Sequence, residues 1–486
     1  MKKKLTAIFL CLALAITGLT ACGTGSTAEK PGLKKDPIAI TVWHYYNGDQ
    51  QQSFDRLVRE FNETMGLKQG IIVTAHSYGK VQDLNQKVLD AVYEKVGAAE
   101  VPDVFASYAD TAYEINQLGK VTDISQYLTP EEQAEFIPGY LSEGEFEGPD
   151  SFKIFPVAKA TELVMLNKTQ WDAFAAATGA AQAELATWEG ISRLAEQYYN
   201  WTDGLTPDIP EDGKAFFGRD AFANYIIIGS YQLGAELFPV QDGKMQLNPD
   251  KAVLRRLWDN FYLPYINGYY AALGKFRTDD IRTGDLVACV GANSGATYFP
   301  PQVTRPDGST YPIEGAAYPL PNFEGSKPVA VQQGAGMVVT KSTPERERAA
   351  VEFLKWFTKP EQNVRFAVAS GYLPVTYEGS KPERVTQALE DVDRVAPVLR
   401  ESLLTGVDMT QTYELYTSKA FKNGSAARAV VEKSMKEKAA ADRLQVLDRM
   451  AAGSSRAQAV AEYATDENFD LWFASFTQAL EQAVSK

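Results

Sequence analysis

Ile38-Ala39-Ile40-Thr41-Val42-Trp43 places apolar residues at every second position, the spacing of a half-buried strand. The period then switches repeatedly. Phe54, Leu57, Val58 and Phe61 fall at i, i+3, i+4 and i+7, one apolar stripe of a helix. Gly70 precedes the β-rich run Ile71-Ile72-Val73-Thr74, and Leu84, Val88, Val92 and Val96 return to a four-residue helical spacing. Val104-Phe105-Ala106, after Pro102-Asp103, reads as a third short strand. Strand, helix, strand, helix, strand is the pattern of a parallel α/β lobe with right-handed crossovers. Ligands of such sheets collect outside the carboxyl ends of the strands. Trp43 to Asn47, His76 to Tyr78, and Tyr108 stand just past those ends.

Downstream, Ile154 to Leu166 is apolar but broken into two strand-like halves by Pro156, Lys159 and Glu162, and reads as the chain crossing from one lobe to another. Trp188 to Tyr199 is helical. A further helix is expected from Asn248, with Asn248 as cap, Pro249 at the first position and Asp250 at the positive end. Leu286 to Val290 reads as a strand, and the small-residue stretch Gly291 to Thr297 as a loop. Residues 300–328, rich in Pro, Gly and Tyr, read as irregular connections. Ser342-Thr343-Pro344-Glu345 opens another helix, with Ala350, Leu354 and Phe357 on its apolar face and Pro360 beyond its end. A shorter helix ends at Gly371. The tail is mostly helical, and Phe469, Trp472, Phe476 and Leu480 give its last helix a core-facing stripe.

The other end carries a targeting segment. Lys2, Lys3 and Lys4 precede an apolar stretch from Leu5 to about Gly18, then Leu19-Thr20-Ala21-Cys22. This is a secretory signal; its apolar core of about 14 residues is short of the roughly 20 that span a bilayer. The cut site resembles a bacterial lipobox, in which Cys22 becomes the first mature residue and is diacylated; two acyl chains anchor stably. Residues 1–21 are thus read as the lipoprotein signal peptide and 22–36, small and polar, as a flexible tether. Of the three cysteines, Cys11 leaves with the signal and Cys22 takes lipid, so Cys289 remains as a thiol with no disulfide partner. The mature fold therefore relies on a large core, which about 450 residues can build as two or three domains. A formal net charge of −14 favours solubility and argues against nucleic-acid partners.

Five segments together resemble the extracellular solute-binding proteins of ATP-driven importers, the family that includes maltose- and glycerol-3-phosphate-binding proteins. They are Ile40-Thr41-Val42-Trp43-His44; Pro102-Asp103-Val104 leading to Gly119-Lys120-Val121-Thr122-Asp123-Ile124; Thr161-Glu162-Leu163-Val164-Met165-Leu166-Asn167-Lys168; Gly334-Ala335-Gly336-Met337-Val338-Val339 with the helix ending Phe353-Leu354-Lys355-Trp356-Phe357; and Gly371-Tyr372-Leu373-Pro374-Val375. Beyond residue 385 the likeness is only that both are helical. The resemblance implies an α/β, two-lobed periplasmic-binding-protein-like fold (type II) with interlobe crossing strands. Carried onto this chain, lobe one is 37–159 plus 317–372 and lobe two is 160–316 plus 373–486. It further implies a monomer that captures a small-molecule ligand, a carbohydrate or glycerol-phosphate-like compound, by hinge closure and delivers it to ABC permease subunits. The protein would be extracytoplasmic and held at the cell membrane through Cys22.

Sugar faces are apolar C–H surfaces edged with hydroxyls, so a site needs flat aromatics and side chains that both donate and accept. Tyr45, Tyr46 and Asn47, with Tyr78 and Tyr108, supply that mixture at strand ends; strand alternation equally sends some of these rings beneath the sheet. Asp220 and Phe222 follow Phe217-Gly218-Arg219, where relatives place a stacking aromatic, and packing is the equal alternative for Phe222. Ser294, near Asn293 and Thr297 on the glycine-rich loop, offers amides and hydroxyls to an oxygen-rich ligand, with a plain connecting loop as the alternative. Gly334 and Gly336 resemble the family's small-residue cleft floor. Tyr372 either lines the site or packs behind Pro374. Relatives often carry Ser at the position of Ala160, so the binding pattern is not inherited intact. Arg219 and Arg277 are the candidate partners of a phosphate or carboxylate, although arginines are more often surface or salt-bridge residues; with no basic cluster, a neutral carbohydrate is the favoured ligand.

No catalytic residue, metal or cofactor is assigned. With only His44 and His76 a multi-histidine zinc centre is not expected, and no H-E-x-x-H, P-loop or G-x-S-x-G motif occurs. A two-carboxylate glycoside hydrolase and an adhesive or structural lipoprotein stand as the alternatives to a binding protein.

Overall fold

In the computed structural model, residues 37–485 are described, apart from 150, 242, 243, 393 and 394. The segments read as signal peptide and tether, with Cys22, lie outside the described residues.

Ile38–His44 pairs in parallel with Ile71–Ser77 and with Val104–Ser107. Gly336–Val339 returns from far along the chain to pair antiparallel with Val104–Ser107, completing a four-stranded sheet. The helix Gly48–Phe61 lays Phe54, Leu57, Val58 and Phe61 on this sheet. Asp103 ties the arrangement together: its carboxylate accepts the Thr41 backbone N–H at 2.8 Å and both ends of the Arg346 guanidinium at 2.8 Å. The resulting core runs from Ile40 to Ala160 and from Ala335 to Val375.

A second four-stranded sheet is ordered Gly315–Tyr318, Glu162–Asn167, Ala288–Ala292, Phe217–Arg219. Its core extends from Leu163 to Val331 and from Val398 to Leu480, with Phe469, Trp472, Phe476 and Leu480 all buried. A small third cluster joins Val364, Val368 and Leu373 to Val385, Leu389, Leu403 and Val407.

Several expectations shift. Residues 300–328 are not merely irregular: Gln302–Thr304 and Thr310–Pro312 form a hairpin, and Gly315–Tyr318 is an edge of the second sheet. Strands of three or four residues are too short to display alternation. Ala317, Leu320, Phe323 and Val329–Val331 pack in the second core, whereas the division by resemblance put 317–331 with lobe one. The helix expected from Asn248 begins at Lys251, and Asp250 caps it by accepting the Val253 N–H at 2.9 Å. Asn248 instead donates to the Glu236 carbonyl. The strand expected at Leu286–Val290 runs Ala288–Ala292, and a 3-10 turn, Asn293–Tyr298, follows it. Pro360 lies past the helix Pro344–Phe357 and opens the next one, Pro360–Ser370, which Gly371 ends in the left-handed region at φ 75°.

The two cores meet where three segments run side by side. Lys159 exchanges backbone hydrogen bonds with Leu373 (3.1 and 2.6 Å), and Ala160 does so with Gln333 (2.7 and 2.9 Å). The crossing read at Ala160 therefore has two neighbours, both from much later in the chain.

Candidate functional site

The first-strand end is a closed aromatic packing. Tyr46 is 1% exposed and lies against His44, Phe54 and Phe366, 5.2–5.3 Å between ring centres. Tyr45 and Tyr372 share a hydrogen bond between hydroxyls at 3.2 Å, and burial raises the pKa of both. Tyr78 sits on Trp43 at 5.0 Å. Asn47 is exposed and donates to the Gly79 carbonyl at 3.1 Å.

On the second sheet, Asp220 accepts from the backbone and side chain of Arg277 at 3.3–3.4 Å; burial nonetheless raises its pKa. Phe222 packs on Phe261 at 4.4 Å inside the core. The Ser294 carbonyl accepts the Thr297 hydroxyl at 2.8 Å. Asn293 is buried, donating to the Gly371 carbonyl at 2.7 Å and accepting the Thr161 N–H at 2.9 Å. Gly334 has φ 96° and its carbonyl accepts from Lys159 Nζ at 2.8 Å. At Gly336 a Cβ would run into Ile154, so this glycine serves close strand packing. The two arginines offered as anion partners are committed to carboxylates: Arg219 to Glu162, Arg277 to Asp280 and Asp220.

The cavity lies elsewhere. A cleft of about 410 Å³ has walls from both cores. From the first come Tyr108, Asp110 and Thr111, at the end of the third strand and the start of the helix Ala109–Gln117, and Glu143 from the turn Ser142–Gly144. From the second come Ile227, Phe238, Gln332, Gln333, Tyr416, Phe421 and Arg428. Gln332 and Gln333 belong to the crossing; Tyr416 ends Glu414–Tyr416, which pairs in parallel with Val329–Val331; Arg428 is on the first turns of the helix Gly424–Ala451. Two hydrogen bonds span the walls, Ser425 to the Asp110 carboxylate at 3.0 Å and Thr417 to the Gly139 carbonyl at 2.8 Å. Burial holds the Asp110 carboxyl above its ordinary range, against the pull of Ser425 and Arg428.

Below the floor, polar groups are matched in pairs. Lys159, fully buried, donates to Glu143 and to the Gly334 carbonyl. Arg219 and Glu162, each 1% exposed at the side chain, pair at 2.8 Å, with the guanidinium over the rings of Trp188 and Tyr225 at 5.6 and 5.5 Å. Asn224 donates to Glu162 at 2.8 Å and to Gln333 at 3.2 Å, while its oxygen accepts from Arg428. Buried charges are tolerable only when paired in this manner.

Of the residues expected at ligand, Tyr108 lines this cleft; the others are placed as described above. Asp110, Glu143, Gln332, Gln333, Tyr416 and Arg428 were not foreseen. Asp110 carried a signal, two residues past Tyr108 on the same strand end. Gln332 and Gln333 immediately precede the small-residue segment. Arg428 carried none. Among the described residues no group of His, Cys, Asp and Glu is arranged to hold a metal ion.

An interlobe cleft floored by crossing segments, between two sheets each flanked by helices, is the architecture of a two-lobed binding protein, a periplasmic-binding-protein fold of type II. The chain belongs to the bacterial extracellular solute-binding protein family, whose model matches residues 56–390; it is a family of binding proteins, not enzymes. Solved structures share the fold at low identity. The cyclic alpha-maltosyl-1,6-maltose binding protein of Arthrobacter globiformis is 17% identical, covering 92% of this chain and 99% of its own, with a TM-score of 0.65. UgpB of Mycobacterium tuberculosis, solved in complex with glycerophosphocholine, is 17% identical, covering 93% and 99%, also at 0.65. The maltotriose binding protein of Thermus thermophilus is 15% identical, covering 92% and 100%, at 0.56. No curated protein matches the chain by sequence.

Proposed function

We propose that the chain is the lipid-anchored substrate-binding component of an ABC importer, capturing a carbohydrate or related polyol between its lobes and presenting the closed form to permease subunits. The observation that carries this is the cleft itself: one cavity with carboxylate, amide, hydroxyl and aromatic groups drawn from two separate cores. A ligand that touches both walls favours the closed arrangement by its differential affinity. Relatives with this fold are named for, or solved with, oligosaccharides and glycerophosphocholine, which supports a hydroxyl-rich cargo here. Lobe one is taken as 37–159 with the segment from about 335 to 372, and lobe two as the remainder, following the cores. Cys22 is the proposed lipid attachment point at the outer face of the cell membrane.

A thermal-shift screen of the mature protein tests the reading. A ligand bound by the native state alone raises the melting temperature, so a shift with a maltooligosaccharide, a cyclic oligosaccharide or a glycerophosphodiester is the expected result. Silence across all three classes removes the polyol reading. Labelling with radioactive palmitate, lost on Cys22→Ala, tests the anchor separately.

A further inference from the structure

Around the cleft one half-buried cation and one half-buried anion, Arg428 and Asp110, are left without an ion-pair partner among the described residues. Four charged side chains line it, Asp110, Glu143, Lys419 and Arg428. Glu143 is matched by the buried Lys159 beneath it. Lys419 is exposed at the rim. Arg428 is half-buried and, among the described residues, has no carboxylate within ion-pair distance; its side chain donates to the neutral oxygen of Asn224.

That contact orients without neutralising. An amide has two donors on nitrogen and acceptor capacity on oxygen. Both Asn224 donor contacts are used downward, on Glu162 and Gln333, so its oxygen must face Arg428. Glu162, the nearest carboxylate in this relay, is already matched by Arg219. Arg219, Glu162 and Asn224 thus form a line of fixed groups that sets the plane of the Arg428 guanidinium. Its remaining N–H donors are left for whatever fills the cleft, and its charge, which acts on Asp110 without reaching ion-pair distance, is open to a closer anion. A guanidinium donates only, and its parallel N–H pairs suit a planar or tetrahedral oxyanion. Acceptors for ligand hydroxyls come from the opposite wall, where Glu143 and Asp110 stand beside Tyr108.

We infer that Arg428 anchors an oxyanion carried by the polyol ligand, and that Asn224 is the residue that positions it. A phosphodiester and a carboxylate share the required chemistry. The inference rests on the binding-protein reading above and sharpens its cargo from neutral to anionic. The absence of a basic cluster in the sequence is no obstacle, because one oriented guanidinium in a partly desolvated cleft suffices. Asp110, across from it and unmatched by any cation at ion-pair distance among the described residues, opposes the anion and sets the orientation of the ligand.

Calorimetry on the full mature chain in detergent, with three probes, tests this. Glycerophosphoglycerol is the phosphodiester, a glucuronate disaccharide the carboxylate, and maltotriose the neutral control. Wild type is expected to bind one oxyanion probe more tightly than maltotriose, with affinity falling as salt rises; which probe wins identifies the source of the oxyanion. Arg428→Gln should lose about 100-fold on that probe and Arg428→Lys about 10-fold, since a point charge replaces the fork. Asn224→Ala should lose about 10-fold while keeping the salt dependence, because the charge stays and only its aim is lost. Asp110→Asn should bind the oxyanion more tightly. Near-ultraviolet dichroism reports whether each variant keeps its fold. Binding of maltotriose alone, equal in wild type and Arg428→Gln, overturns the inference and leaves the polyol reading standing. Failure of all three probes counts against both.

Discussion

Two strand ends of the same sheet, the one after His44 and the one after Ser107, meet opposite fates. Both carry tyrosines and both stand where a parallel sheet gathers ligands. After His44, Tyr46 is covered by Phe366 and Tyr372, from the helix Pro360–Ser370 and the crossing behind it, while half-buried Tyr45 shares a hydrogen bond with the Tyr372 hydroxyl. After Ser107, Tyr108 and Asp110 are left facing a cleft whose far wall is the helix Gly424–Ala451. The local sequence at the two places is similar in kind; what differs is the chain laid over it hundreds of residues later. The strand-end rule finds the rim of a site, and the later segments decide which part of the rim stays open.

That contrast can be broken by experiment. The largest effect belongs to the closed end: Tyr46→Ala empties a packed site and should cost about 3–5 kcal/mol in urea unfolding, with ligand affinity of the folded fraction unchanged. An affinity loss at unchanged stability would put Tyr46 on the ligand instead. Next is the acid sensitivity of the same cluster. His44 is fully buried, its Nε2 has no partner, and burial, with a smaller push from His76, holds its imidazole down from 6.5 to about 4. The folded state therefore favours the neutral ring. Its contribution is complete above pH 6.5 and is lost as pH falls towards 4, about 3 kcal/mol in total. Urea melts at pH 7 and pH 4.5 should differ accordingly, and the difference should shrink in His44→Gln.

The open end should show the converse. Tyr108→Ala is expected to weaken ligand binding about 10-fold, the scale of a lost aromatic contact, with little change in melting temperature. A melting temperature that falls as far as in Tyr46→Ala would erase the distinction between the two ends. The smallest effect concerns closure: Ser425→Ala removes one hydrogen bond between the walls and should cost about 1 kcal/mol of ligand affinity. Small-angle scattering of the unliganded variant should show a more extended average than wild type.

Much of the fold was legible because it rests on local periodicity. The stripe Phe54, Leu57, Val58 and Phe61, the Thr343 cap and the Gly371 stop are each settled within a few residues. What stayed illegible depends on partners remote in sequence. Gly315–Tyr318 is a strand because Glu162–Asn167 offers it an edge, and Leu320 and Phe323 join the second core for the same reason. The site follows this division. Tyr108 could be found from its strand. Glu143 matters through Lys159, and Arg428 through Asn224 and Glu162, relations that no spacing within one segment encodes.

The pairing of Val104–Ser107 with Gly336–Val339 has a consequence for how the protein is made. A ribosome delivers the strands around residue 40 to 107 long before the one that closes their sheet, and the first core also needs helices out to Phe366. The second core waits longer still, for the stripe ending at Leu480. Contacts so distant in sequence form slowly, because chain must be looped before they reward it. A nascent chain of this design cannot complete either core until those late segments have been made.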